Sequence, residues 1–456
     1  MSSLFGSVSI ALRSMLAQQG AISTTANNVA NINTPGYVRR RAELVEGQAV
    51  LSGNHMVGTG VELQKIVSLR DRVLQLRIQD EQQNQGALQS QLSALQDIEP
   101  LFSTETDSLG ESIDNFFNSI SSLSANASSI PLRQTVLLNA NNLAGKFHDL
   151  ASTLQQRQFS LDLSMLQSVQ QVNEITAEIA DLNGKIADHG PNQDELGAFV
   201  DRRDLLIENL STLIGNQVFT ANDGITVTTK NGDPLVLGRN SFELSVVQQP
   251  DGAPRIICGT DDVTDSLGGG ALQGQCEIRQ NAIPELLAAL DTLASGIAVA
   301  VNQVHIAGFD LNGNPGQHFF TCDTSSLGSA ASSFSVNISG PAAIAGSSDG
   351  TAGSNGNLNN LLGIRKQAVV AGQTPTDYYA TLTFRFGARV SGAKTDLEAS
   401  EAISQQLENQ RGAISGVSLD EEAADLIRYQ RAYEAAARVL SVLDELTEIS
   451  VNLGSH

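Results

Sequence analysis

Beyond Pro131 the chain places an apolar or small side chain at near-heptad intervals. The positions are Val136, Ala140, Leu143, Phe147, Leu150, Leu154, Leu161, Met165, Val172, Ile175, Ile179, Leu182 and Ile186. Steps of three and four keep these positions on one face of a helix. Pro131 sits where a helix starts, since the first turn has no use for its missing N–H. At 1.5 Å per residue, residues 132–188 would span about 85 Å, a rod rather than a globule. Such a helix gains its stability from packing its stripe on other helices. Gly190-Pro191-Asn192 then turns the chain, and a further amphipathic helix is expected from about Asp194 to Ile214.

The two ends repeat the theme more weakly. Leu4, Val8, Ala11, Met15, Ile22, Val29 and Ile32 form a seam with polar Gln18 and Thr25 inside it. Asn31 to Tyr37 stops it, because Pro35 disfavours helical geometry at Thr34 and Gly36 permits a turn. At the other end the acidic turn Asp420-Glu421-Glu422 suits a helix start. Leu426, Tyr429, Tyr433, Ala436, Leu440 and Leu443 follow, and Leu446, Ile449 and Leu453 continue the stripe. Residues 1–70 carry a net charge of +3 and residues 396–456 a net of −8, which favours docking of one end on the other. A solvated acidic face on the last helix accounts for the charge equally well. Both seams are poor in cohesion, so the ends are expected to be largely unfolded in a lone molecule and to become helical on polymerisation.

Between the ends, Leu88, Leu92 and Leu95 precede a break at Pro100, and Leu109, Ile113, Phe116, Ile120 and Leu123 form another seam. From Gln217 the pattern changes to short strands (Val218–Thr220, Ile225–Thr229, Leu235–Leu237, Phe242–Val247) separated by Asp223-Gly224, Asn231-Gly232 and Asp251-Gly252. Gly268 to Gly270 close this region, and helix resumes from Pro284 to about Ile306. Residues 307–356 are rich in Gly, Ser and Asn with a β-like run at Phe334–Ile338, and helix returns near Asn357–Arg365 and from Asp377 to the end. The expected fold is mainly α with a small β domain: long terminal and central helices forming coiled-coil or bundle layers, with an antiparallel β-rich insert. Residues 1–70 with 396–456 make a terminal helical domain, and 71–215 with 277–395 a helical rod domain carrying an irregular insert at 307–356. Residues 216–276 make the small β domain.

Chemistry is hard to find. With 27 Lys+Arg against 49 Asp+Glu the chain carries −22, which argues against a nucleic-acid or anionic-membrane partner. No uninterrupted apolar run approaches the ~18 residues of a membrane span. Gly346-Ser347-Ser348-Asp349-Gly350 matches G-x-S-x-G, yet the Gly/Asn/Ser stretch after it offers no helix for a nucleophile elbow. Asp310 to Asn314 hints at a calcium loop, but Pro315 and Thr321 stand where that loop needs Gly and Glu. His305, His318 and Cys322 lie across a glycine-rich loop without a ligand spacing, and Cys258, Cys276 and Cys322 are too few for a disulfide framework. No catalytic, cofactor-binding or metal-binding residue is expected. The N-terminal stretch from Met1 to Leu12 lacks a basic leader and a cleavage site of the Sec type.

One stretch is more specific. Ile22 to Tyr37, ISTTANNVANINTPGY, resembles the N-terminal signature of bacterial flagellar rod, hook and hook-associated proteins. Three further segments resemble the hook-associated protein 1 family, the proteins of the hook–filament junction. They are Asp201-Arg202-Arg203-Asp204-Leu205-Leu206 with Leu210 to Gly215; Gly269 to Gly274 with Ile283-Pro284, Leu290 to Ala294 and Val301 to His305; and Gly416 to Ala424 running into Tyr429 to Tyr433. The likeness covers most of the chain except about 220–265 and 320–356.

The resemblance implies an axial structural protein with no catalytic role, located outside the cell in the bacterial flagellum. It implies export through the flagellar type III channel without a Sec signal peptide, with a chaperone at the C-terminal helix. The expected partners are a ring of identical subunits, the hook protein, and a second hook-associated protein or the filament. It also places both terminal helices in an inner tube and the β domain outside. The residues expected at the assembly interface are Leu4, Val8, Met15, Ile22, Asn27, Asn28, Asn31, Pro35, Gly36, Tyr37, Leu426, Tyr429, Tyr433, Leu440 and Leu443. The three asparagines fit either capping at a helix end or hydrogen bonding between subunits. A hook or distal-rod protein shares the first motif, and a secreted adhesin or hydrolase with a β head is the alternative of a different class.

Overall fold

A computed structural model describes residues 2–52, 55–102, 108–188, 193–221, 224–248 and 252–453. In chain order its elements are α1 (Ser2–Ala30), β1 (Arg40–Glu46), β2 (Val50–Ser52), β3 (His55–Val57), β4 (Val61–Ser68), α2 (Arg72–Ile98), α3 (Leu109–Ala125), α4 (Ile130–Asp188) and α5 (Gln193–Leu213). Next come β5 (Asn216–Ala221), β6 (Gly224–Thr229), β7 (Pro234–Leu237), β8 (Asn240–Ser241), β9 (Leu244–Gln248), β10 (Pro254–Cys258), β11 (Asp261–Asp262), α6 (Gly270–Glu277) and α7 (Ile283–Ile306). Last are β12 (Phe320–Thr321), α8 (Ser329–Ser332), β13 (Ser335–Val336), α9 (Gly356–Ile364), α10 (Pro375–Ser415) and α11 (Leu419–Leu453). The architecture is mainly α with small antiparallel sheets. The expected turn at Gly190-Pro191-Asn192 lies outside the described residues, as do His189, His456, Asp223 and Asp251.

The chain divides into two compact units: residues 1–84, 172–243 and 400–456 form the first, and 85–171 with 244–399 the second. The second unit is built on the seams of α3, the first part of α4 and α7, whose leucines and isoleucines are buried together. Its centre is aromatic. Phe116 meets Phe117, Phe319 and Phe320 at ring-centroid distances of 5.3, 5.8 and 5.5 Å, and Phe334 joins Phe147 and Phe320 at 5.0 and 4.6 Å. The stretch Gly270–Ile306 is apolar and long enough to cross a membrane, contrary to the run-length expectation, but Leu286, Leu290, Leu293, Ile297 and Val301 within it are core residues of this unit. The Gly269–Gly274 segment has a steric explanation. A Cβ on Gly274 would lie 2.3 Å from the Ala87 carbonyl oxygen, so only glycine lets α6 approach α2 this closely.

The first unit departs from expectation in two places. Residues 40–68, expected within a helical end domain, form a β-hairpin in which β1 pairs antiparallel with β4 from Arg40↔Ser68 to Glu46↔Val61. The period-2 alternation that marks a strand was present (Arg41 and Glu43 out, Ala42 and Leu44 in) but is short and dense in charge. Residues 216–276 do not make one sheet. The strands β5-β6-β7-β8 form a four-stranded sheet in the first unit, whereas β9, β10 and β11 form a three-stranded sheet in the second. Each sheet is closed by local hairpins, which fix strand pairing without fixing which helices the sheet covers.

Candidate assembly interface

The terminal helices pack on each other, α1 against α11. The buried stripe of α1 consists of Ala11, Ala17, Ala21, Thr24, Thr25 and Asn28 rather than the larger apolar residues. Leu4, Val8, Met15 and Ile22 are half-buried at its margins, and Val29 and Ile32 are exposed. Small side chains let the helix axes approach closely, so the bulky residues are pushed to the flanks. On α11 Tyr429 is buried beside Ala21 and Ala42, while Leu426, Tyr433, Leu440 and Leu443 are half-buried.

The pairing is locked by a polar hub. Asn28 is 1% exposed and uses its whole amide. Its Nδ2 donates to the Arg40 carbonyl at 2.8 Å and to Glu422 Oε2 at 2.9 Å. Its Oδ1 accepts from the Tyr37 hydroxyl at 2.8 Å and from the Arg40 N–H at 3.0 Å. Glu422, 2% exposed, also accepts from Arg39 Nε at 2.6 Å, and Arg39 reaches Glu421 with its other end. Burial pushes the Tyr37 phenol up, and the Arg40 charge works against that shift. For Arg39 burial favours the neutral form, but the hydrogen bond to Glu421 and the charge of Glu422 outweigh it and hold the guanidinium above its ordinary value.

Of the three asparagines, Asn28 ties the chain to itself. Asn27 and Asn31 are bonded locally, Asn31 Nδ2 donating to the Asn27 carbonyl at 3.0 Å and to its Oδ1 at 2.6 Å. Pro35 is exposed, and Gly36 takes φ +77 with its α-carbon against Leu205.

The Asp201–Asp204 segment on α5 is the second clamp. Asp201 accepts from Arg40 at 2.8 Å and from Arg70, and Arg70 also pairs with Asp204 at 3.1 Å. Arg411 on α10 pairs with Glu208 at 2.8 Å. Burial raises the carboxyls of Asp204 and Glu208, with Arg70 and Arg411 respectively opposing the shift. These residues converge from 40, 70, 201–208 and 411, separations that no local sequence pattern reveals.

Outside this network the helix pair leaves large apolar side chains in the open. Phe5 is 64% exposed and Leu12 and Leu16 are exposed with it, while α11 presents Ile427, Val439, Val442, Leu446, Ile449 and Val451. A groove of about 350 Å³ runs between the helices, lined by Ser7, Ile10, Ala11, Ser14, Ala436 and Val439. Scattered apolar residues on a surface are ordinary, whereas here they run along both helices of one pair. Leu446 and Ile449 continue the α11 seam, but the other exposed positions lie off both seams, and none of them was among the expected interface residues.

The candidates for chemistry are all accounted for by structure. His305 is fully buried, its Nε2 accepting from the Ala345 N–H at 2.8 Å and its Nδ1 facing the Gln317 carbonyl, and burial pulls its basicity down. With Asn302, which accepts from Phe319 and Phe320 N–H at 2.7 and 2.9 Å, it pins an extended segment to α7. Asp310 accepts from the N–H groups of Asn312 and Asn314, a turn. The residues after Gly350 form no helix until α9, so the G-x-S-x-G stretch is a loop. Among the described residues no cluster of three His, Cys, Asp or Glu is placed to hold a metal. Cys258 and Cys276 are buried, and burial pushes the Cys276 thiol up to about 12.

Three family models match the chain. Residues 95–320 match the flagellar hook-associated protein FlgK helical domain, 408–453 the C-terminal region of flagellar basal body rod FlgEFG proteins, and 10–37 flagella basal body rod proteins. The two shorter matches fall on the end of α10 with α11, and on α1 with its Pro35 turn. These matches identify the chain as a structural subunit of the bacterial flagellum. Flagellar hook-associated protein 1 of Bacillus subtilis is 29% identical over 99% of both chains, and that of Escherichia coli 25% identical over 97% of this chain and 98% of its own. The flagellar hook junction protein FlgK from Burkholderia pseudomallei has the same fold, with a TM-score of 0.68 at 18% identity, covering 74% of this chain and 100% of that one. Over nearly its whole length the chain is similar to flagellar hook-associated protein 1.

Proposed function

We propose that this subunit forms a ring of identical copies at the hook–filament junction, with the α1–α11 layer as the contact surface inside the ring. The observation that carries this is the row of large apolar side chains left open along a helix pair that is otherwise closed by a saturated polar hub. Burying them against neighbouring copies adds roughly 25 cal/mol per Å² of apolar surface removed from water. The hook protein on one side and a second hook-associated protein or the filament on the other are its axial partners. Export through the flagellar type III channel, with a chaperone covering the C-terminal helix, belongs to the same proposal, since the exposed stripe on α11 needs a cover before assembly.

The half-buried interface residues of the two seams position this surface, and the exposed ones make it. Leu426→Asp or Leu440→Asp is expected to leave the second unit folded and to abolish motility. Gold-labelled antibody on purified flagella is expected to mark a thin band at the junction; label along the whole hook would reject the junction in favour of a hook protein. Limited proteolysis of the monomer is expected to trim α1 and α11 before the second unit is cut.

A further inference from the structure

Arg203 is 7% exposed, and no carboxylate lies within ion-pairing distance of it among the described residues. Its Nη1 donates to Asn183 Oδ1 at 2.9 Å, an acceptor shared with the Ile225 N–H at 3.3 Å, and its Nε is buried with no partner. The Nε of Arg70 is buried unpartnered as well, although the ends of that guanidinium serve Asp201 and Asp204. Arg72, more exposed, donates to the Thr220 hydroxyl and has no carboxylate partner among the described residues. All three arginines line one cleft of about 280 Å³ between α2, α5 and the β5–β6 hairpin, its other walls including Asp204, Leu76, Ile207 and Val218.

A buried guanidinium held by one neutral acceptor is unusual, because buried charges are ordinarily paired. Burial holds Arg203 below its ordinary value; Asp204 works against that shift and Arg70 adds to it. Asp204 does not supply the missing counter-charge, since it is engaged by Arg70 and burial disfavours its ionised form. We propose that this cleft is an oxyanion site, taking a carboxylate or phosphate group on the guanidinium groups of Arg203 and Arg70, with the more exposed Arg72 beside them. Guanidinium N–H groups match two oxygens of such a group better than any point charge does. The group comes either from a small free anion or from an acidic side chain of a second copy, and a chain of net charge −22 offers many of the latter. The site stands on these residues alone and does not depend on the placement at the junction.

Calorimetric titration of inorganic phosphate and of acetate into the full-length monomer, at constant ionic strength set with chloride, tests it. Saturable one-to-one binding is expected, weakened at least tenfold by Arg203→Gln and by a smaller factor by Arg72→Gln. Absence of saturable binding by both anions, or unchanged binding in Arg203→Gln that is folded by circular dichroism, overturns the site. Should Arg203→Gln fail to fold, the exposed Arg72→Gln decides, and unchanged affinity there overturns it. Self-association measured with and without phosphate separates the two sources. Phosphate that binds and weakens association identifies a carboxylate of a second copy, and phosphate that binds and leaves association unchanged identifies a free anion; either result keeps the cleft an oxyanion site.

Discussion

The second unit and the α1–α11 layer of the first are both helical, yet they are held in opposite ways. The second unit closes on phenylalanine, leucine and isoleucine, with Phe116, Phe117, Phe319 and Phe320 almost wholly out of water. The terminal layer closes on alanine, threonine and one asparagine, and leaves its large apolar residues outside. The first arrangement is complete as it stands, since its apolar surface is already dry. The second is open on one side: its polar hub fixes the geometry of the helix pair while its large apolar side chains stay in water. Specific geometry and strong cohesion are thus supplied by different chemistry in the two places.

That contrast can be broken by substitution. The largest effect is expected at Phe320→Ala, where loss of a buried aromatic and the cavity it leaves cost about 3–5 kcal/mol; urea unfolding followed in the second unit measures it. Glu422→Ala strands the Arg39 guanidinium and one amide hydrogen of Asn28, and is expected to destabilise the terminal layer by up to about 3–5 kcal/mol. Hydrogen exchange should show the loss in α1, β1 and α11 with the second unit unchanged; protection lost equally in both units would erase the distinction. Gly274→Ala forces α6 off the Ala87 carbonyl and is expected to cost about 1–3 kcal/mol, confined to the second unit.

Proton linkage should part the two regions in sign. His305 has a folded-state basicity below its ordinary 6.5, so the unfolded chain binds its proton first and the second unit loses stability as pH falls below that value. Asp204 and Glu208 have raised carboxyls, so their contribution runs the other way: it is present at low pH and lost as pH rises through their folded-state values. Exchange rates followed between pH 7 and 4 should show the insert pinned by His305 loosening on acidification, and His305→Gln should flatten that response. The smallest effect on the folded monomer is expected at Ile449→Asp, within about ±0.5 kcal/mol because the side chain is already in water. The same change should abolish motility, which a swarm assay reads directly. A motile Ile449→Asp strain would remove the outer face of α11 from the assembly surface.

Much of the helical architecture was legible because its cause is local. The stripe from Val136 to Ile186 lies on one unbroken α4, Pro131 begins it, and the Pro35-Gly36 turn ends the α1 region. The β5, β6, β7 and β9 strands followed from hairpin turns, whereas β1 and β4 were missed because their alternation is brief and charged. On the terminal helices the seams foretold the α1–α11 pairing but, apart from Val29, Leu446 and Ile449, not the large side chains left in water. Asn28 and Glu422 were singled out as a cluster member and a dipole-suited acid, while their meeting across 394 positions was invisible.

What the amino-acid order alone determined is periodicity and punctuation: where helices run, where they stop, and that the two ends carry weak matching seams. Only the tertiary structure decided which stripe of α1 is buried, that residues 216–262 serve two sheets, and that Arg39, Asn28 and Glu422 form one hub. Helix propensity and turn chemistry act over a few residues and are written in adjacent letters. A buried polar network is satisfied by whichever distant groups the packed fold brings within hydrogen-bond reach, so its partners exist only once the chain has folded.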